Sequence, residues 1–153
     1  MDGQSVPVFG DAAPGVVAII RPSAYGVISD GSERIAVVRN PLGLYLPGGG
    51  SEASETPEET VVRETREECG LTVRVRSWRR AAIEHVYSAT EDTYFEKHDT
   101  FCDALATGPA GAPIDPDHAL EWMVAVDATA RLTPASHRWA VGEWLTFHLH
   151  HLT

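Results

Sequence analysis

The sequence predicts an α/β protein, a mixed central β-sheet with helices on both faces. Three observations predict it. Short apolar runs recur between turn residues along most of the chain, as strands do. Residues 56–69 carry the marks of a helix at both ends. A second helical pattern closes the chain after Thr133-Pro134. Strands interleaved with two substantial helices bury their apolar faces most simply as a sheet between helices.

Taken in order, residues 1–15 are rich in Gly, Pro, Ala and Asp and read as an N-terminal arm or peripheral strand. Residues 16–20 are a short apolar run that Arg21-Pro22 should break. Residues 25–28 and 35–38 read as two strands joined at Asp30-Gly31, a pair that tolerates positive φ and predicts a tight hairpin turn. Leu44-Tyr45-Leu46 is a short strand leading into Pro47 and three glycines. The helix over 56–69 begins with Thr56 as N-cap, Pro57 at its first position and Glu59 completing a capping box. Gly70 suits the left-handed residue that ends it. Its apolar stripe is Val61, Val62, Thr65 and Cys69. Residues 73–78 and 81–87 read as two strands, 88–92 as a polar turn and 94–106 as a further strand. Residues 108–117 are a loop and 122–126 a strand. Asp127 is expected to cap a short helix ending near Leu132. The last helix runs to about His148. Residues 16–153 are expected to form one domain, with no repeat or linker.

Composition narrows the function. The 153 residues are 43% hydrophobic and 22% charged, as in a globular domain. The net charge is −10 and no basic run exists, which excludes general affinity for nucleic acid or an anionic membrane. No apolar run approaches the roughly 20 residues that span a bilayer. The N-terminus lacks the basic start and apolar run of a signal peptide. Cys69 and Cys102 suit free buried thiols in a reducing compartment, so a cytoplasmic location is expected.

The unusual chemistry lies between Glu52 and Glu68, which hold seven carboxylates. Glu64, Glu67 and Glu68 are spaced i, i+3 and i+4, which stacks them on one helix face. Like charges at that spacing, near a helix C-terminus, cost about 0.3 kcal/mol each. A stretch that breaks local rules in this way is a candidate functional site. A divalent cation is the simplest remedy, and hard oxygen donors suit Mg2+ or Mn2+ rather than zinc or copper.

The stretch reads Gly49, five residues, Glu55, seven residues, then Arg63-Glu64-Thr65-Arg66-Glu67-Glu68-Cys69-Gly70-Leu71. It resembles the signature of the Nudix hydrolases, G-x5-E-x7-R-E-U-x-E-E-x-G-U, with U a bulky aliphatic residue. Thr65 alone departs from it, standing at a U position. Its β-branched shape suits packing, and its hydroxyl could bond back to the Val61 carbonyl. The preceding hairpin and Leu46-Pro47-Gly48-Gly49-Gly50 also resemble the way family members enter the motif.

The resemblance implies a Nudix-type α/β/α sandwich and a metal-dependent pyrophosphohydrolase acting on a nucleoside diphosphate linked to another group. It implies that Glu64, Glu67 and Glu68 bind Mg2+ or Mn2+, with a glycine carbonyl adding a ligand, Gly48 first and Gly49 next. It gives Glu55 and Arg63 supporting roles, Arg63 pairing with Glu55 and orienting Glu64. Glu64 is the expected general base, although some members use a glutamate from a distant loop. Many relatives are homodimers, so the arm is a candidate dimer contact.

Outside the motif the candidates thin out. Arg39 could reach a substrate phosphate and Tyr87 could stack on a base, but a solvated strand-end arginine and a cross-strand tyrosine are the plainer readings. Asp117 and Glu121 are loop acids that could supply an extra ligand or base. His85, His98, His118 and His137 show no ligand spacing, and His148, His150 and His151 read as a helix end. A non-catalytic Nudix-fold module that binds a nucleotide metabolite is the alternative function, but it would need eroded metal glutamates. An isoprenoid diphosphate isomerase would need further catalytic residues. No proline stands about sixteen residues beyond the motif, where ADP-ribose hydrolases often carry one; that position is Tyr87. The SQPWPFP motif of NADH pyrophosphatases is absent. The expectation leans to nucleoside or dinucleoside polyphosphates.

Overall fold

A computed structural model describes residues 5–108 and 111–151, with side chains as far as Leu149. Residues 1–4 of the arm and the side chains of His150 and His151 lie outside the described residues.

The elements run β1 (Val8–Phe9), β2 (Ile19–Ser29), β3 (Arg34–Asn40), β4 (Gly43–Tyr45), β5 (Gly48–Gly50), α1 (Pro57–Cys69), β6 (Val73–Ser88), β7 (Thr93–Ala106), β8 (Ala119–Val124), α2 (Ala125–Arg131) and α3 (Ala135–His151). One sheet carries the order β1-β6-β7-β2-β3-β4, with β5 also on β2 and β8 also on β3. It is mixed, because β2 runs parallel to β7 and antiparallel to β3 and β5.

Alternation along the central strands builds two cores. Val27, Ile35, Val37 and Phe101 face α2 and α3, where Ala128, Leu132, Val141 and Trp144 cover them. Ile28, Ala36, Val38 and Ala104 face the other way, towards Cys69 and Leu71, and Ala24 and Cys102 pack with Val61 of α1. Each strand thus serves both layers, as period-two side chains must in a sheet covered on both faces. Phe101 is wholly buried, which is worth roughly 2–3 kcal/mol in removed apolar surface. The Trp144 indole donates to Asp103 at 2.9 Å, tying α3 to β7. The predicted α/β/α sandwich is therefore the observed fold. Among the described residues no helix is long and apolar enough to cross a membrane.

Several local expectations are corrected. Pro22 does not break the strand; β2 runs through it from Ile19. The Pro22 carbonyl accepts from Ser51 just where β5 leaves β2, so the missing N–H falls where pairing ends. The Asp30-Gly31 turn is wider than a two-residue hairpin, since Ser29 pairs with Ile35. The Asp30 carboxylate instead accepts from the N–H and hydroxyl of Ser32 and organises the loop. The two strands expected over 73–78 and 81–87 are one strand, β6. It bulges where the four steps from Val75 to Arg79 face the two from Ala104 to Cys102. The last strand is β8, ending at Val124, and Ala125 and Val126 are already helical. Val124 occupies the N-cap of α2 without a side-chain bond, and Asp127 sits inside the first turn. The Thr133 hydroxyl accepts from the Leu44 N–H at 2.9 Å, bracing β4. Part of the arm is a two-residue strand, β1, beside Ile83 and Glu84 of β6, with Phe9 against Trp139.

Candidate functional site

The site is built on α1 and the strand beside it. Thr56 caps α1, accepting from the Glu59 N–H at 3.2 Å while Glu59 accepts from the Thr56 N–H at 2.9 Å. Gly70 closes the helix at φ 67°, its N–H donating to Arg66. The buried stripe is Thr60, Val61, Thr65 and Cys69. Val62, placed in that stripe by periodicity, is 43% exposed, and Thr60 takes its place. The Thr60 hydroxyl is satisfied there by Glu55 at 2.7 Å. The Thr65 hydroxyl does not bond to Val61; it is buried with no hydrogen-bond partner among the described residues.

Strand β5 brings the glycines against the acidic face. Gly48 pairs with Tyr25 at φ 150°, and a Cβ there would lie 2.2 Å from the Ala24 carbonyl oxygen, so only glycine fits. Its N–H donates to Glu68 Oε1 at 2.9 Å. A Cβ on Gly49 would sit 3.0 Å from the carboxyl carbon of Glu64. The bare position at Gly49 thus gives Glu64 room to approach the strand, while Gly48 meets Glu68, one helical turn on, through its N–H.

Arg63 organises the rest. Its Nε donates to Glu55 Oε2 at 2.7 Å and its Nη2 to Glu55 Oε1 at 3.0 Å. Its Nη1 reaches Glu64 Oε1 at 3.0 Å and Glu67 Oε2 at 3.4 Å, and Nη2 also donates to the Gly50 carbonyl at 3.1 Å. The Arg63 bond holds Glu55 down at about 2. Burial raises Glu64, against the pull of Arg63. Among the described residues no arginine contacts Glu68. Burial pushes it up to about 8 despite the Gly48 N–H, and the charges of Glu64, Asp115 and Glu67 add to the rise. The side chains of Glu64 and Glu68 are 17% and 13% exposed, and that of Glu67 is 42% exposed.

A divalent cation fits this donor set: crowded hard oxygens, one of them buried with no arginine or lysine beside it among the described residues. No ready-made cluster of three metal-binding side chains exists among the described residues. Arg63 draws Glu64 and Glu67 towards itself instead.

Two residues that the sequence left aside stand beside Glu68. His118 Nε2 lies 3.5 Å from Glu68 Oε2, and His118 Nδ1 lies 2.6 Å from Asp115 Oδ2. The second approach is off the donor axis, so it is a close contact rather than an aligned hydrogen bond. Their loop docks on the end of α1, where Ile114 and Asp115 N–H groups donate to the Glu67 carbonyl and Gly111 to that of Gly70. The one local signal was Asp115 itself, whose side chain accepts from the Asp117 N–H as turn-forming aspartates do.

Other candidates stand elsewhere. Arg39 pairs with Glu121 across β3 and β8 at 3.3 Å, and no described contact joins it to the helix glutamates. Asp117 makes no described contact with those glutamates either. The Tyr87 hydroxyl donates to Asp92 at 2.6 Å and its ring packs 4.8 Å from that of Tyr94, so it is a partly exposed cross-strand pair at the hairpin end.

Fold and site together define a mixed-sheet sandwich whose first helix presents an arginine-braced glutamate face to a glycine strand. The chain belongs to the Nudix family: the model of the NUDIX domain matches residues 20–145. Members of this family act on small nucleotide substrates and generally use divalent metal ions. A Mycobacterium tuberculosis protein, named provisionally as 8-oxo-dGTP diphosphatase 3, is 36% identical over a match covering 51% of this chain and 44% of that protein. The chain therefore spans less than half the length of the curated relatives it matches. Among solved structures, a NUDIX hydrolase from Nitrosomonas europaea superposes with a TM-score of 0.65 at 16% identity, covering 82% of this chain and 88% of that one. The MutT protein from Methanosarcina mazei Go1 superposes with a TM-score of 0.64 at 16% identity, covering 88% and 99%. At such identities the structural matches speak for the fold.

Proposed function

We propose that the protein is a Mg2+- or Mn2+-dependent pyrophosphohydrolase that cleaves the diphosphate of a nucleoside diphosphate derivative, with nucleoside polyphosphates the favoured class. The observation that carries the reading is Glu68, a buried carboxylate held by the Gly48 N–H, beside Glu64 and with no arginine or lysine against it among the described residues. Glu64, Glu67 and Glu68 would hold the ion. When bound, it supplies charge neutralisation at the phosphates and an acidified water. The chain's own residues do the positioning. Glu55 locks Arg63, and Arg63 donates to Glu64 and aims it, so Glu64 is the residue we assign to accept a proton from water. The relative's name, which mentions a nucleoside triphosphate, supports the substrate class. The two free buried cysteines support a cytoplasmic setting.

The test is turnover of a panel of nucleoside diphosphate derivatives with Mg2+ or Mn2+, for wild type, Glu67→Gln and Glu68→Gln. Metal-dependent product release is expected, falling about 100-fold or more in each variant. Tight nucleotide binding without turnover in the wild type would replace an enzyme with a binding module. Full activity in both variants would remove the ligand assignment.

A further inference from the structure

We infer that His118 is a positioning residue for Glu68, itself steadied by Asp115. The inference rests on the metal-binding reading of the helix glutamates. The two oxygens of Glu68 are addressed by two different elements. Oε1 accepts the Gly48 N–H from β5, and Oε2 faces His118 Nε2 from the loop before β8. The far nitrogen of His118 is against the Asp115 carboxylate. The arrangement is a carboxylate, an imidazole and a second carboxylate in series, bridging loop to helix. Groups behind a ligating side chain set its orientation, and their loss typically costs 10–100-fold in metal affinity or activity.

The docking of the loop on the helix end does not use the His118 side chain. Main-chain N–H groups of residues 111, 114 and 115 make its bonds to the helix end. A Cβ on Gly70 would come within 2.3 Å of the Gly111 carbonyl oxygen, so the close approach is a backbone matter. Substituting His118 therefore removes the neighbour of Glu68 and leaves the loop seated. His118 is also confined, its side chain 18% exposed, so the imidazole has few other places to go.

The experiment is binding of Mn2+ alone, without substrate, followed by the electron paramagnetic resonance of the free ion, with a thermal melt of each variant. His118→Ala is expected to raise the Mn2+ Kd about tenfold, with the melting temperature within about 3 °C of wild type. His118→Gln, whose amide nitrogen takes the place of Nε2, is expected to recover most of the affinity. Asp115→Ala is expected to weaken binding about threefold, as the more distant member. Wild-type affinity in His118→Ala, with Glu68→Gln impaired, overturns the role of His118 alone. Wild-type affinity in both overturns the metal reading beneath it. Equal losses in His118→Ala and His118→Gln, accompanied by a large drop in melting temperature, would make His118 a fold residue and overturn the inference.

Discussion

Arg63 grips Glu55 with both prongs of its guanidinium, at 2.7 and 3.0 Å, and from that hold extends its remaining nitrogen to Glu64 at 3.0 Å. A planar fork can do both at once; an ammonium cannot. Arg63→Lys is therefore expected to lower kcat/KM by about 10–100-fold. The Glu55→Gln, Arg63→Lys double variant should lose less than the sum of the single losses, because the two act as one unit. Additive losses in steady-state kinetics would show that the pair is not coupled.

The same pair sets an acid response. Glu55 is held at about 2, below the ordinary carboxylate value of 4.5. A depressed carboxylate stabilises the folded state fully above its unfolded value, and that stability is lost as pH falls from about 4.5 towards 2. Glu55→Gln removes the titrating group, so its melting temperature should fall less than that of wild type over this window. Parallel melting curves across the acid range would sink the assignment.

Divalent cation should stabilise the fold. A ligand at 100 times its Kd adds about 2.7 kcal/mol, and a domain of this size gains roughly 2–4 °C per kcal/mol. Saturating Mg2+ is expected to raise the melting temperature by about 5–10 °C, EDTA to reverse the rise, and Glu68→Gln to abolish most of it. A scan with no metal-dependent shift would count against the site.

Thr65 is a defect that can be repaired. Its buried hydroxyl has no hydrogen-bond partner among the described residues, and an unpaired polar group costs about 1–3 kcal/mol. Thr65→Val keeps the shape and removes the oxygen. It should gain about 1 kcal/mol, or about 2–4 °C, in a thermal melt. A destabilised valine variant would mean that the hydroxyl is satisfied in solution.

Burial pushes the Cys69 thiol up to about 12 and the Cys102 thiol up to about 11. Since the thiolate is the reactive form, neither should be alkylated by iodoacetamide in the native protein at pH 8, and both should react in denaturant. Labelling of either under native conditions, read by mass spectrometry, would contradict the burial.

Helix α1 was the most legible part of the chain, because its start and stop are local chemistry. Thr56, Glu59 and Gly70 cap it within a few residues of themselves. Val62 shows where helical periodicity stops being informative. It lies at the edge of the apolar stripe, and contact with the sheet decided that Thr60, paired to Glu55, goes inside instead. Pro22 was misread because a proline that loses its donor where a strand pair parts costs nothing, and local sequence does not say where partners part. Asp115 and His118 were passed over for a similar reason: they are three residues apart in a loop and about fifty from Glu68.

By itself the sequence determined the helix, its charge pattern, the glycines that must precede it and the family these define. All of these are local in the chain and follow from backbone conformation and spacing. Tertiary structure alone decided which carboxylate is buried away from the arginines, that Gly48 holds one of its oxygens and that His118 stands at the other. Those facts depend on β5 pairing with β2 and on a loop seated at the end of α1. Burial and proximity are properties of the packed chain, set by contacts between residues far apart in sequence.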